Sequence, residues 1–181
     1  KHAVSIPVIA VGRIEPDVAE RAIAAGDFDF LAMGRKLLAD PDLPRKLAAG
    51  HEKSVLPCIY CYICVSQIFI NKPVCCAVNH NTGREHESDL LARSGAPQKI
   101  LVVGGGPGGM ECARLLAGQS HRVHLWEKDA DLGGTARIAG LAYAPNETLV
   151  HHLAGAVHAL PIALKLRTTA TRENIAALDP D

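Results

Sequence analysis

Cysteines stand at positions 58, 61 and 64, and a fourth, Cys76, follows after eleven intervening residues. The segments read Pro57-Cys-Ile-Tyr-Cys-Tyr-Ile-Cys-Val65 and Val74-Cys-Cys-Ala77, which gives C-x2-C-x2-C-x11-C. A chain with this spacing folds around what its thiolates bind. A loop with a thiolate at every third residue can wrap a body with several metal corners. A more distant cysteine then closes the last corner. The pattern therefore points to a [4Fe-4S] cluster. Structural zinc more often takes two separated pairs, C-x2-C…C-x2-C, and free core cysteines are usually scattered. Cys75 competes with Cys76 as fourth ligand, because only one of two adjacent side chains points at the cluster.

The bulk composition narrows the partners. The chain has 181 residues, one domain or slightly more, with 19 basic and 19 acidic side chains. Balanced charge gives no reason to expect nucleic acid or a membrane surface. An apolar content of 48% supports a packed core. No run approaches the ~18 apolar residues of a membrane span, and no signal peptide opens the sequence. Six cysteines without secretory features point to a reducing compartment, the cytoplasm, where thiolates bind metal instead of pairing. The chain opens on Lys1 and closes on Leu178-Asp179-Pro180-Asp181, which reads as a turn, so a piece of a longer protein is expected.

Three compositions succeed one another. Residues 1–50 read as strand, helix, strand, helix. Pro7 to Val11 is an apolar run ending at Gly12-Arg13. Pro16 to Ala25 has helical spacing, with Val18, Ala22 and Ile23 on one side. Phe28 to Met33 is a second strand ending at Gly34-Arg35, and Asp40-Pro41 opens a helix that Gly50 stops. Residues 51–97 hold the cysteine motif, show little periodicity and read as a loop-rich module, with Ser88 to Gln98 as a linker. Residues 98–181 are α/β again. Lys99 to Val103 and Arg122 to Glu127 read as strands, and Pro107 to Ala117 as a helix. A second helix is capped by Asn146 and runs through Leu160; Ile162 to Leu166 is strand-like, and Thr171 caps a short final helix.

Gly104-Gly-Gly-Pro-Gly-Gly109 contains G-x-G-x-x-G at Gly104, Gly106 and Gly109. The motif alone is weak. Here it follows a strand, opens a helix, and is answered by Glu127 at the end of the next strand, which is the context a dinucleotide site needs. The first glycine permits the tight turn and the second lets backbone approach a pyrophosphate. The third lets helix pack on strand, and the helix N-terminus offers amide donors. Glu127 would bind ribose hydroxyls and repel a 2′-phosphate, which suits the ADP half of FAD, or NAD, better than NADP.

Gly12-Arg13 and Gly34-Arg35 each follow an apolar strand. In a (β/α)8 barrel, loops after the last strands commonly hold a phosphate, with glycine admitting backbone amides and arginine giving a bidentate cation. An arginine after a strand is otherwise a solvated charge. Tyr60 and Tyr62, between cysteines, are expected to shield a cluster from water. Cys112 is expected in the core of its helix, and His151, His152 and His158 are expected to face solvent.

In its order of parts the chain resembles the NADH:flavin oxidoreductases with an iron–sulfur cluster, the family of 2,4-dienoyl-CoA reductase and trimethylamine dehydrogenase. Val8-Ile-Ala-Val-Gly-Arg13 and Ala32-Met-Gly-Arg-Lys-Leu-Leu-Ala-Asp-Pro41 are similar to that family's last two barrel strands, whose loops hold the FMN phosphate. Cys58, Cys61, Cys64 and Cys76 match its cluster ligands. The x-x-Asn usual after the fourth ligand fits Cys76-Ala-Val-Asn79 and favours Cys76 over Cys75. Gly104 to Gly109 and Glu127 match its FAD- or ADP-binding loop, and Asp131-Leu-Gly133-Gly134 resembles its second glycine pair.

The resemblance implies an α/β architecture: the end of an FMN-binding (β/α)8 barrel over 1–50, an iron–sulfur segment and linker over 51–97, and the start of a Rossmann-like FAD-binding domain over 98–181. It also implies an enzyme, in which electrons pass from NAD(P)H through FAD and the cluster to FMN and reduce an activated C=C bond of a small-molecule substrate. In the amine-dehydrogenase branch the flow reverses, from substrate to FMN to cluster and out to a carrier protein. The x2 gap between Cys61 and Cys64 is nearer that branch, whereas the x11 gap before Cys76 is nearer the dienoyl-CoA reductases. A non-catalytic electron-transfer module is the remaining alternative. The catalytic acid should lie outside this chain, and no residue in it is identified as the proton donor. Nothing in the sequence speaks to oligomeric state.

Overall fold

The computed structural model describes residues 1–87 and 96–181. Of the expected linker, residues 88–95 lie outside the described residues. The class is α/β and every strand pairing is parallel. Strands β1 (Ile9–Val11) and β2 (Phe30–Ala32) form one small sheet, with helix α1 (Pro16–Ala24) as the crossover between them. The spacing that marks α1 is correct, but the face it buries is not the expected one. Ala19 is buried, whereas Val18 and Ile23 are exposed. Ile9 (62% exposed), Val11 (77%) and Phe30 (57%) also stand open, so this small sheet presents apolar side chains to solvent.

Two short helices follow, α2 (Arg35–Ala39) and α3 (Leu43–Ala48). The first was not expected; the second carries Pro44 in its first turn, where the missing N–H costs nothing. The cysteine segment also contains a helix that its sequence hides, α4 (Ile63–Phe69). It starts directly from Tyr62, whose φ of 62° is left-handed.

The second sheet has the order β3 (Lys99–Val103), β4 (Arg122–Trp126), β5 (Ile162–Lys165). Helix α5 (Pro107–Gly118) joins β3 to β4. Helices α6 (Gly134–Gly140) and α7 (Ala144–Ala159) lie between β4 and β5, and α8 (Arg172–Leu178) closes the chain. Thr171 caps α8 as expected, in a reciprocal capping box with Asn174. Asn146 does not cap α7. The helix begins earlier, from Tyr143, with Pro145 in its first turn, the position where a preset φ is an advantage. At the edge of β3 away from β4, Lys99 exchanges hydrogen bonds with Asp181: its N–H donates to Oδ2, and its carbonyl accepts from the Asp181 N–H.

One core serves this sheet and the cysteine segment together. Met110, Ala113, Val123, Leu125, Leu149, Leu153 and Val157 are buried between β4, α5 and α7, and Leu56, Ile59 and Val78 pack on them. Ile59 follows Cys58 and Val78 lies two residues after Cys76, so the apolar core fixes both ends of the cysteine loop. Cys112, expected in the core, is exposed on α5.

Candidate functional site

Cys58, Cys61, Cys64 and Cys76 line one cavity, together with Arg35, Tyr60 and Tyr62. Cys75 is not among the lining residues. The Cys58 thiol is pushed up, first by burial and further by Cys76 and Cys64. Among the described residues, no three His, Cys, Asp or Glu side chains converge enough to hold one metal ion. Four thiolates lining one cavity are a donor set that could hold an iron–sulfur cluster.

The loop is held under backbone strain. Tyr60 (φ 52°) and Tyr62 (φ 62°) both adopt the left-handed region. That region favours glycine and asparagine, and a bulky residue there costs on the order of 1–3 kcal/mol. What the two rings touch offsets this. The Arg13 guanidinium lies 4.7 Å from the Tyr60 centroid and 5.3 Å from that of Tyr62. The Arg35 guanidinium lies 5.2 Å and 4.6 Å from the same rings. Lys36 Nζ is 5.3 Å from the Tyr60 centroid. Arg13 also donates to the Tyr62 hydroxyl at 2.8 Å, and the Tyr60 hydroxyl donates to Glu15 Oε1 at 2.9 Å. Lys36 closes the group by donating to Glu15 Oε2 at 2.5 Å. Arg13 and Arg35 pull the Tyr62 hydroxyl below the usual phenol value, while burial pushes Tyr60 up.

The two strand-end arginines, 22 positions apart in the sequence, thus meet over one pair of rings. Two features of this group ask for an anion. Three cations, Arg13, Arg35 and Lys36, surround the rings with one carboxylate, Glu15, whereas a phosphate monoester carries about −1.5 to −2 at pH 7. Arg35 Nη1 is buried and has no hydrogen-bond partner among the described residues. Gly12 and Gly34 leave open space where a Cβ would stand, so backbone can approach a ligand there. Sequence reasoning found Arg13 and Arg35 but missed Glu15, Lys36 and the tyrosines as their partners. The adjacency of Lys36 to Arg35 was the one available signal.

Polar contacts tie this group to the cysteines. Asn79 Nδ2 (3.0 Å) and Thr82 Oγ1 (2.7 Å) both donate to the Leu38 carbonyl in α2. Buried Asp40 accepts from the Leu56 N–H at 2.8 Å and from Lys46 Nζ at 2.6 Å. The helix that begins with Arg35 is thereby fixed to both flanks of the motif.

The glycine loop is a second, separate site. Gly104 has φ 101°, a left-handed turn only glycine makes easily. A Cβ on Gly109 would strike the Gly104 carbonyl oxygen, so the third glycine is what lets α5 pack against β3. At Gly106 the same position is open space. Glu127 is buried; its Oε2 accepts from the Gly105 N–H at 2.6 Å and its Oε1 from the Asp129 N–H at 2.8 Å. These amides, that of Asp129 first, hold the carboxyl below its usual range. A carboxylate has about four acceptor positions, so Glu127 keeps room to accept from a ligand hydroxyl. The second glycine pair arrives at the same loop: the Gly133 N–H donates to the Gly105 carbonyl at 2.7 Å, and a Cβ on Gly134 would lie 3.3 Å from the Gly106 Cα.

A cleft of about 1220 Å³ opens elsewhere, between α3, the segment after Cys76, α5 and α7. Lys46 there is paired with Asp40, and Arg114 with Glu111 at 2.7 Å. His152, expected in solvent, is half-buried on this wall, and burial lowers its pKa; His151 and His158 are exposed. No helix among the described residues is long and apolar enough to cross a membrane.

Comparison with known proteins matches residues 1–54 to the NADH:flavin oxidoreductase / NADH oxidase family and residues 102–161 to an NAD(P)-binding Rossmann-like domain. The chain is 43% identical over 180 residues to a metal reductase of Desulforamulus reducens, covering 97% of this chain and 27% of that protein. It superposes on a 2-naphthoyl-CoA reductase complex with a TM-score of 0.91 and 34% identity, covering 99% of this chain and 28% of that one. It superposes on a 6-hydroxypseudooxynicotine amine oxidase from Pseudomonas geniculata N1 with a TM-score of 0.93 and 27% identity, covering 100% and 28%. The chain thus spans little more than a quarter of the proteins it matches. With a flavin-oxidoreductase match at one end, a nucleotide-binding match at the other and 43% identity across nearly its whole length, it belongs to the NADH:flavin oxidoreductase / NADH oxidase family.

Proposed function

We propose that this chain carries the FMN-phosphate, [4Fe-4S] and FAD-binding parts of an oxidoreductase that moves electrons from NAD(P)H to an activated C=C bond of a small molecule. The observation that carries this is the shared cavity: four cysteines and Arg35 line it, and Arg35 also belongs to the cation group suited to a phosphate. When bound, the flavins supply hydride transfer and the cluster single-electron transfer. In this reading Cys58, Cys61, Cys64 and Cys76 hold the cluster. Gly12, Arg13, Gly34 and Arg35 hold the FMN phosphate. Gly104, Gly106, Gly109 and Glu127 hold the ADP part of FAD, with Gly133 and Gly134 beside it. Residues 1–50 are then the end of a flavin-binding barrel, 51–97 the cluster segment and linker, and 98–181 the start of the nucleotide domain. The exposed Ile9, Val11 and Phe30 support the first assignment, since neighbouring barrel strands would cover them.

The amine-dehydrogenase direction, with electrons leaving to a carrier protein, is the second reading. The two-residue gap between Cys61 and Cys64 and the amine oxidase likeness favour it. Anaerobic assay of the whole flavoprotein separates the two. NADH or NADPH consumption matched by saturation of an enoyl thioester or enoate supports the first. Amine oxidation with an artificial acceptor, and none with a nicotinamide, would replace it with the second.

Arg35→Ala should weaken FMN binding at least about tenfold, because a hydrogen bond to a charged group is worth roughly 1.5–3 kcal/mol and a decade takes ~1.4. Flavin titration reads this, and an unchanged affinity would contradict the role. Glu127→Gln should lower retention of FAD and leave FMN in place. Equal loss of both flavins would instead indicate general unfolding.

A further inference from the structure

We infer that Tyr60 and Tyr62 are positioning residues for the flavin phosphate, holding Arg13 and Arg35 side by side so that the two guanidinium groups act as one anion clamp. The inference rests on the proposed role of those arginines and adds what makes them a pair. Each guanidinium lies within 5.3 Å of both ring centroids, so the rings are shared between the two cations. Like charges gathered this closely repel each other, and Glu15 is the carboxylate in hydrogen-bond contact with the group, through Lys36 and Tyr60. The electron-rich faces of the rings supply the remaining attraction. The Tyr62 hydroxyl fixes Arg13 directly, at 2.8 Å.

The backbone gives the independent argument. Both tyrosines hold left-handed angles, at φ 52° and 62°, on either side of Cys61. Glycine and asparagine take such angles with less strain. Shielding cysteines from water would not by itself set both rings against both guanidinium groups, as these are. The contacts that offset the backbone strain are those with the arginine pair. Preorganised cations lose less freedom when an anion arrives, so removing the rings should weaken binding while the cysteine loop relaxes.

The test uses the holoprotein with Tyr60→Gly and Tyr62→Asn combined, substitutions that suit the backbone, and with Tyr60→Phe and Tyr62→Phe combined, which keeps the ring faces. The expected result is that the glycine–asparagine protein keeps its iron and sulfide and binds FMN at least about tenfold more weakly, with the phenylalanine protein recovering most of the loss. FMN affinity within about threefold of the parent in the glycine–asparagine protein would overturn the inference. Loss of the cluster in that protein would also overturn it, because the tyrosines would then be structural to the loop. Arg13→Ala and Arg35→Ala report separately on the underlying reading: unchanged affinity in both would remove the arginine site itself, whatever the tyrosines do.

Discussion

Cys76→Ala is expected to abolish assembly of an intact [4Fe-4S] cluster, while Cys75→Ala leaves it in place. In anaerobically purified holoprotein, iron and sulfide should stand at about four each per chain for such a cluster. Both should fall well below that with Cys76→Ala and stay there with Cys75→Ala. The two cysteines are neighbours in the chain, and their chemistry is the same. They differ in place: Cys76 lines the cavity that Cys58, Cys61 and Cys64 line, and Cys75 is not among its lining residues. Burial of Cys58 beside Cys64 and Cys76 adds to the contrast, since an unligated thiolate there would be penalised by its neighbours. Alanine is the right replacement, because serine oxygen can still coordinate. Equal loss of iron in both variants would mean that the pair acts through loop packing. Stoichiometric zinc without iron in the parent protein would remove the cluster altogether.

The parts of this molecule that were legible in its sequence are those whose signal is local. Lys99–Val103, the glycine loop and Pro107–Gly118 follow one another within twenty residues, and each announces itself by apolar run, turn residue and helical spacing. Thr171 and Asn174 form their capping box across three positions. The helices that escaped are five to seven residues long. Ile63–Phe69 carries a cysteine in its first turn, and Gly134–Gly140 begins with glycine, so each resembles loop by composition. Their stability comes from tertiary packing, which no window of sequence contains. The same limit applies to α1: its period was readable, but what would cover Val18 and Ile23 was not. At the site, residue types named the chemistry and could not name the pairing. Arg13 and Tyr62 are 49 positions apart, and Glu15 and Tyr60 are 45.

Gly109→Ala is expected to empty the nucleotide site and to destabilise the second sheet, whereas Gly106→Ala should do only the first. At Gly109 the new methyl would meet the carbonyl oxygen of Gly104, a backbone atom with no rotamer to give way. Either α5 lifts from β3 or the Gly104 turn shifts. Neither is easy, since Gly104 already holds φ 101° and the next amide, that of Gly105, is held by Glu127 at 2.6 Å. Overpacking of this kind costs typically about 1–3 kcal/mol, visible as a lower denaturation midpoint. At Gly106 the methyl enters open space from an ordinary backbone, φ −71°, so stability should stay within about 0.5 kcal/mol. That open space is where a pyrophosphate would approach the loop, so FAD content and ADP affinity should still fall, by about tenfold or more if one charged hydrogen bond of roughly 1.5–3 kcal/mol is lost, at ~1.4 kcal/mol per decade. The pair therefore separates a glycine required by packing from a glycine required by a ligand. Undiminished ADP affinity in Gly106→Ala would mean that the loop turns without binding a nucleotide. Full FAD retention in Gly109→Ala would mean that the contact between α5 and the Gly104 turn yields more readily than a turn held next door by Glu127 should allow.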